Sequence, residues 1–263
     1  MIRVGIGGWV FKPWRGTFFP KGHPQARELE YASRKLTTIE INGTFYRTQT
    51  PATFRKWAGE VPDDFVFSIK GPQFATNRRV LAEAGSSIER FFASGVLELG
   101  SKLGPILWQL APTKKFDPED FAAFLALLPP ELDGRKIRHA VEVRHESFIV
   151  PPFIELLRKH SVAPVLVDSS KHPLIADVTC DFVYLRLQGT SEKEETGYPG
   201  KALDAWMKRA RAWEAGGTAA DLAPVGGGKP PKTPRDVFVY MISGAKVRAP
   251  AAAMALIERL QGI

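Results

Sequence analysis

The chain has 263 residues, 44% apolar and 24% charged, with a formal net charge of +8 and a pI near 9.6. That is enough apolar sequence for one substantial core, and the single cysteine, Cys180, excludes an internal disulfide and a cysteine-rich metal site. No run nears the ~18 apolar residues of a membrane span, and the chain opens on strand-like sequence without a secretory leader, so a cytoplasmic protein with no membrane partner is expected.

Taken in order, short apolar runs predict strands over 2–6, 37–42, 65–70, 105–110, 139–144, 163–168, 182–187 and 236–242. Helical patterns fill the intervals at 24–36, 51–59, 86–102, 117–128, 151–160 and 201–214, and an Ala-rich helix closes the chain from about 250 to 260. Pro51 and Pro151 suit first-turn positions. Asp117-Pro118-Glu119-Asp120 reads as an N-cap, a proline at the first helical position and acids in the first turn. Eight strands alternating with helices at this length predict one α/β domain over 1–263, a single (β/α)8 barrel. A doubly wound open sheet competes, but Gly5-Ile6-Gly7-Gly8 lacks the spacing and the acidic partner of a dinucleotide fingerprint. The segment 216–235, rich in Gly, Pro and Lys, is expected to be a mobile loop before the last strand, opposite the ligand mouth.

Parallel barrel strands are covered on both faces and read as apolar throughout. Here polar residues recur at alternate positions: Glu40 and Asn42, Ser68 and Lys70, Glu142 and Arg144, then Tyr184, Arg186 and Gln188. Gln109 and Asp168 end two further strands. They gather toward the C-terminal halves, where barrel enzymes open their sites. Unpaired buried charge is costly, so these groups must pair with one another or with a ligand. A purely structural ion-pair network is the alternative for any one pair; the set as a whole predicts a pocket.

The loops after those strands carry Lys12, Arg15, Arg47, Arg78, Arg79, Lys114, Lys115, Lys171, Lys246 and Arg248, a rim that would draw anions inward. Arg144, Arg186 and Lys70 are the expected anion clamps, with Glu40, Asn42, Trp14, Tyr46, Gln188 and Tyr198 as further ligand contacts. Glu142 is the acid/base candidate, His145 its neighbour and Asp168 the orienting group. No HxH or HExxH spacing accompanies His145 and His172, so neither metal nor cofactor is expected. Ser169, His145 and Asp168 could be imagined as a triad, but no G-x-S-x-G elbow orders them. The expected partner is an anionic, phosphate-containing small molecule, with phosphoester hydrolysis as the candidate chemistry. The alternative is a non-catalytic surface for nucleic acid or a protein partner.

These residues also resemble a family, that of the domain of unknown function 72, or YecE-like proteins. The likeness runs through Gly5-Ile6-Gly7-Gly8-Trp9, Trp14-Arg15-Gly16, Glu40-Ile41-Asn42-Gly43-Thr44-Phe45-Tyr46 and Leu103-Gly104-Pro105-Ile106-Leu107-Trp108-Gln109-Leu110. It continues through Glu142-Val143-Arg144-His145-Glu146-Ser147-Phe148, Asp168-Ser169, Tyr184-Leu185-Arg186 and Tyr198. The resemblance implies a (β/α)8 barrel similar to that of endonuclease IV-type proteins, and an activity not yet assigned. This chain departs from the family pattern at strand ends. Gly7 stands for Ser, Asn77 and Gln188 for His, and Ser243 falls in a final Asn/Asp cluster. A divergent member is expected, with binding electrostatics retained and catalysis reduced or altered.

Overall fold

The computed structural model describes residues 1–228 and 230–262; Lys229, part of the basic loop, and Ile263 lie outside the described residues. Eight strands run β1 Ile2–Gly7, β2 Thr38–Ile41, β3 Val66–Lys70, β4 Leu103–Gln109, β5 His139–Glu142, β6 Ala163–Asp168, β7 Phe182–Leu187 and β8 Asp236–Met241. All pair in parallel in chain order, and β8 returns to β1 to close the barrel. The predicted fold class is therefore the observed one.

Among the described residues, seven helices of eight residues or more surround it: α1 Glu28–Lys35, α2 Pro51–Glu60, α3 Gly85–Ala93, α4 Pro118–Ala126, α5 Pro151–Lys159, α6 Gly200–Glu214 and α7 Ala249–Gln261. Local chemistry sets several starts. Thr50 accepts from Thr53 N ahead of Pro51, and Asp117 accepts from Glu119 N and Asp120 N ahead of Pro118, so backbone donors that the first turn leaves free are met. The helix expected over 86–102 ends at Ala93. Gly95, at φ +99°, turns the chain, and a 3-10 segment follows from Val96 to Lys102. A two-residue antiparallel pair, Glu131–Leu132 with Arg135–Lys136, was not foreseen.

β6 and β7 are joined by irregular chain, so one helix of the outer ring is missing. The Gly/Pro-rich segment fills that place rather than hanging below the barrel. Asp221 pairs with Arg209 of α6, Gly227 O accepts from Arg158 of α5, and Asp177 accepts from Val225 N and Gly226 N. Gly226 lies so close to Ile154 that a Cβ there would stand 2.7 Å from its Cγ2. Ala219, Leu222 and Val225 of this segment join the apolar core, so its described residues are held against the protein.

Two apolar shells result. The larger lies between barrel and helices; the smaller fills the lumen with Leu107, Ala140, Val165, Val167, Phe182, Phe238 and Tyr240. In the pleat of each strand, alternate residues face the lumen. That parity points Thr38 and Glu40, Ser68 and Lys70, Glu142, and Tyr184 and Arg186 inward, toward the C-terminal end of the barrel. On β1 the inward positions are Gly5 and Gly7. A Cβ on Gly5 would stand 1.8 Å from Thr38 O, so only glycine lets β1 lie this close to β2.

Candidate functional site

The polar strand positions meet in one network. Arg186 lies between two carboxylates: Nη2 and Nε donate to Glu40 at 3.0 and 3.1 Å, and Nη1 donates to Glu142 Oε2. Arg144, just past the end of β5, reaches back to donate from Nε to Glu142 Oε1 at 2.7 Å. Gln109 Oε1 accepts from both guanidiniums, at 2.9 Å from Arg144 and 3.1 Å from Arg186, and so fixes their spacing. Tyr184 OH donates to Glu40 Oε2 at 2.7 Å and sits 2.7 Å from Ser68 Oγ. Below it Thr38 and Tyr240 join hydroxyls at 2.9 Å. Both carboxylate side chains are 0% exposed.

The electrostatics follow. Burial alone would raise the Glu142 pKa, but Arg186 and Arg144 outweigh it and hold the carboxyl below its ordinary value. For Arg186, burial opposes the charge, yet the two carboxylates keep its pKa above the ordinary value. The network is thus two acids matched by two guanidiniums.

Lys70, the last residue of β3, is different. It is 6% exposed, and its Nζ stands 4.0 Å from the centroid of the Phe45 ring. Among the described residues its ammonium has no hydrogen-bond or salt-bridge partner. Burial, helped by nearby Arg186 and Arg144 and opposed by Glu40 and Glu142, lowers its pKa to about 8.

Above this network lies a cavity of about 410 Å³, lined by Lys70, Arg144, Arg186 and Gln109 and closed at the sides by Trp14, Asn42, Tyr46 and Lys246. Gly7, Met241, Ile242 and Ser243 complete it, and no acidic residue lines it. Lys246 places its Nζ 4.5 Å from the Phe11 ring centroid, and burial lowers its pKa. Ser243 holds φ +64° at the end of β8, an uncommon conformation for a residue with a Cβ. Arg144 keeps one terminal nitrogen, Nη1, without an intramolecular partner among the described residues.

Of the expected ligand contacts, Asn42, Lys70, Arg144, Arg186, Trp14 and Tyr46 line the cavity. Glu40 does not; it lies beneath Arg186, wholly enclosed. Tyr198 and Gln188 also lie away from it. Tyr198 OH donates to Asp168 Oδ2 at 3.0 Å and accepts from Gly189 N at 2.6 Å, joining the ends of β6 and β7. Gln188 Nε2 is buried without a partner among the described residues.

None of the three expected catalytic residues lines the cavity, and each is engaged within the protein. Glu142 has each oxygen engaged by a guanidinium and no exposed surface. His145 caps the turn 146–148: its Nδ1 accepts from Ser147 N at 3.1 Å and lies 2.9 Å from Ser147 Oγ. Asp168 is tied to Tyr198 and does not line the cavity. Gly7, Gln109, Met241, Ile242, Ser243 and Lys246 line the cavity without having been among the expected ligand contacts. Gln109 and Lys246 carried the signal available to sequence, a polar strand end and a rim cation. Among the described residues no group of three or more His, Cys, Asp or Glu side chains is placed to hold a metal ion. No helix of the described chain is long and apolar enough to cross a membrane.

Several rim cations are already matched. Arg15 pairs with Glu28 at 2.8 Å, Lys114 lies 3.6 Å from Asp120, Arg78 bonds Ser87, and Arg248 bonds the Glu192 and Glu195 carbonyls. The rim is therefore less strongly cationic than its composition implies. Within the cavity lining, Lys70 and Lys246 are the cations without an acidic partner among the described residues.

Comparison with known proteins agrees with this architecture. A family model described as "Protein of unknown function DUF72" matches residues 3–262. The UPF0759 protein YunF of Bacillus subtilis is 26% identical over 215 residues, 79% of this chain and 73% of that protein. A crystal structure of a DUF72 family protein from Thermotoga maritima superposes with a TM-score of 0.76 at 21% identity, covering 100% of both chains. One from Enterococcus faecalis does so at 0.71 and 16% identity, covering 100% of this chain and 98% of that one.

Proposed function

The chain belongs to the DUF72 family, and from that premise we propose that the cavity at the C-terminal end of its barrel binds a small anionic ligand, a phosphate ester of a metabolite-sized molecule. One observation carries this: the lining has two ammonium groups, Lys70 and Lys246, with no acidic partner, while its guanidiniums are balanced by Glu40 and Glu142. Taking an ammonium out of water without an anion is unfavourable, and a ligand anion would remove that cost. Asn42, the free Nη1 of Arg144 and the Ser243 hydroxyl supply neutral and charged donors on the same walls. A volume of about 410 Å³ falls in the range of small-molecule sites. Phosphoester hydrolysis through Glu142 is not part of the proposal, because that carboxylate is enclosed by the two guanidiniums.

Titration calorimetry with inorganic phosphate tests it. Binding is expected for the native chain and is expected to be lost in Lys70→Met and weakened in Lys246→Met. No heat at millimolar phosphate and low salt, by a chain that is folded, would remove the proposal.

A second reading has its own observation. Among the described residues, apart from Met1, the exposed large apolar side chains are Val10, Tyr46, Phe74, Val80, Ile149 and Leu174, and all lie in segments that follow barrel strands on the mouth side. Such a rim, interleaved with Lys12, Arg47 and Lys171, fits a single-stranded nucleic acid stacked on Tyr46 and Phe74. The two readings separate by salt. Contacts to many phosphates weaken steeply as ionic strength rises, whereas one anion in a recessed cavity responds mildly.

A further inference from the structure

Lys70 is buried where its charge is least welcome and its lone pair most available. It ends β3 at the base of the cavity, against the Phe45 ring, and it lines the same space as the anion donors. The charged groups around it are Arg186 on β7, Arg144 past β5, Glu40 on β2, Glu142 on β5, and Lys246 past β8 at the lip. Both carboxylates are engaged by guanidiniums, so neither is free to hold the ammonium, and the two guanidiniums oppose a third local cation. An amine desolvated beside other cations is the arrangement by which proteins make lysine a nucleophile.

We propose that Lys70 is a nucleophilic amine that condenses with a small aldehyde or ketone bearing an anionic group. This rests on the anion-binding role of the cavity, and it adds that the ligand carries a carbonyl. The anionic group would be held toward the lip by Arg144, Lys246 and Ser243, leaving the carbonyl carbon near the base. The Nζ lone pair forms the C–N bond as the carbonyl π pair becomes an alkoxide. Transfer of one proton from nitrogen to that oxygen gives a carbinolamine. Loss of hydroxide, which takes up a second proton from the nitrogen, releases water and leaves a C=N bond. No oxidant or reductant enters, and the cavity stays open to solvent past Tyr46, which is 67% exposed.

The lowered pKa supports the same role. Against an ordinary value of 10.5, a pKa of about 8 raises the uncharged fraction at pH 7 roughly three-hundredfold, at tenfold for each pH unit. This is the fraction that attacks.

The test uses the full chain, glycolaldehyde phosphate as probe and cyanoborohydride to trap the adduct, read by peptide mass mapping. The expected result is one dominant adduct on Lys70, formed faster than with unphosphorylated glycolaldehyde, suppressed by inorganic phosphate, and rising with pH to a midpoint near 8. Lys70→Arg, which keeps a cation, should lose that adduct and leave only slow surface labelling. If phosphate binds by calorimetry but Lys70 is labelled no faster than surface lysines, the amine proposal falls alone. If phosphate neither binds nor protects while Lys70 still reacts with both aldehydes, the anion-binding role falls and the nucleophile stands. If neither binding nor selective labelling occurs, both fall.

Discussion

Replacing Arg186 by Met tests the packing of charge on which the cavity rests. Arg186 donates to Glu40 twice, to Glu142 and to Gln109, and its side chain is 3% exposed. Without it, Arg144 alone remains for two wholly enclosed carboxylates, and Glu40 retains only the Tyr184 hydroxyl. Removing one partner from a buried ion pair typically costs ~3–5 kcal/mol, because the other charge is left behind. In a domain this size that corresponds to a melting temperature lower by about 10 °C, at roughly 2–4 °C per kcal/mol. The pH dependence gives the sign. In the native chain Glu142 has a depressed pKa, so the stability it contributes is present above the ordinary carboxylate range and is lost as pH falls through its lowered value. In Arg186→Met the surplus negative charge is relieved by a proton, so the deficit against the native chain should be largest at pH 7.5 and shrink toward pH 5. Urea unfolding at the two pH values measures it. A loss below ~1 kcal/mol that does not change with pH would refute the reasoning, because an exposed pair behaves that way. Adding Glu40→Gln to Arg186→Met should recover part of the loss, since it removes the charge left unpaired.

Two further predictions follow from the same region. Lys70→Met should stabilise the folded chain by on the order of 1–3 kcal/mol at neutral pH, since burying the ammonium opposes folding. Because the Lys70 pKa falls on folding, native stability should rise with pH from about 8 toward 10.5, and this rise should vanish in Lys70→Met, as seen by chemical unfolding across that range. Gly7→Ser, which restores the residue of the family pattern, should cost ~1–3 kcal/mol by overpacking. A Cβ there would stand 2.5 Å from Ile242 Cδ1 and 2.9 Å from Asn42 Nδ2, and Ile242→Val, which removes that Cδ1, should restore part of the melting temperature.

The barrel was legible because its strands are short apolar runs between capped helices, and each run carries its own evidence. The polar strand positions were also legible as a set, since Glu40, Lys70, Glu142 and Arg186 break an otherwise apolar alternation. Their pairing was not. Arg186 meets Glu40 across 146 residues of sequence, and nothing local distinguishes that contact from a free catalytic carboxylate. His145 poses the opposite difficulty. Its bond to Ser147 spans two residues, a turn cap that looks the same in sequence as an imidazole waiting for a substrate. The segment 216–235 carries the composition of a free loop, and its packing depends on a helix missing elsewhere in the ring. Lys246 read as one rim cation among many; the fold alone sets it over the cavity while pairing Arg15, Arg78, Lys114 and Arg248 with neighbours.

The most direct test of the central claim is a crystal of the full chain soaked in tungstate, an anomalous scatterer close to phosphate in shape and charge. The account predicts an anomalous peak inside the cavity, within contact of Lys70, Lys246 and the free edge of Arg144, and its loss in Lys70→Met. Peaks confined to outer lysines and arginines, with the cavity holding none, would contradict it.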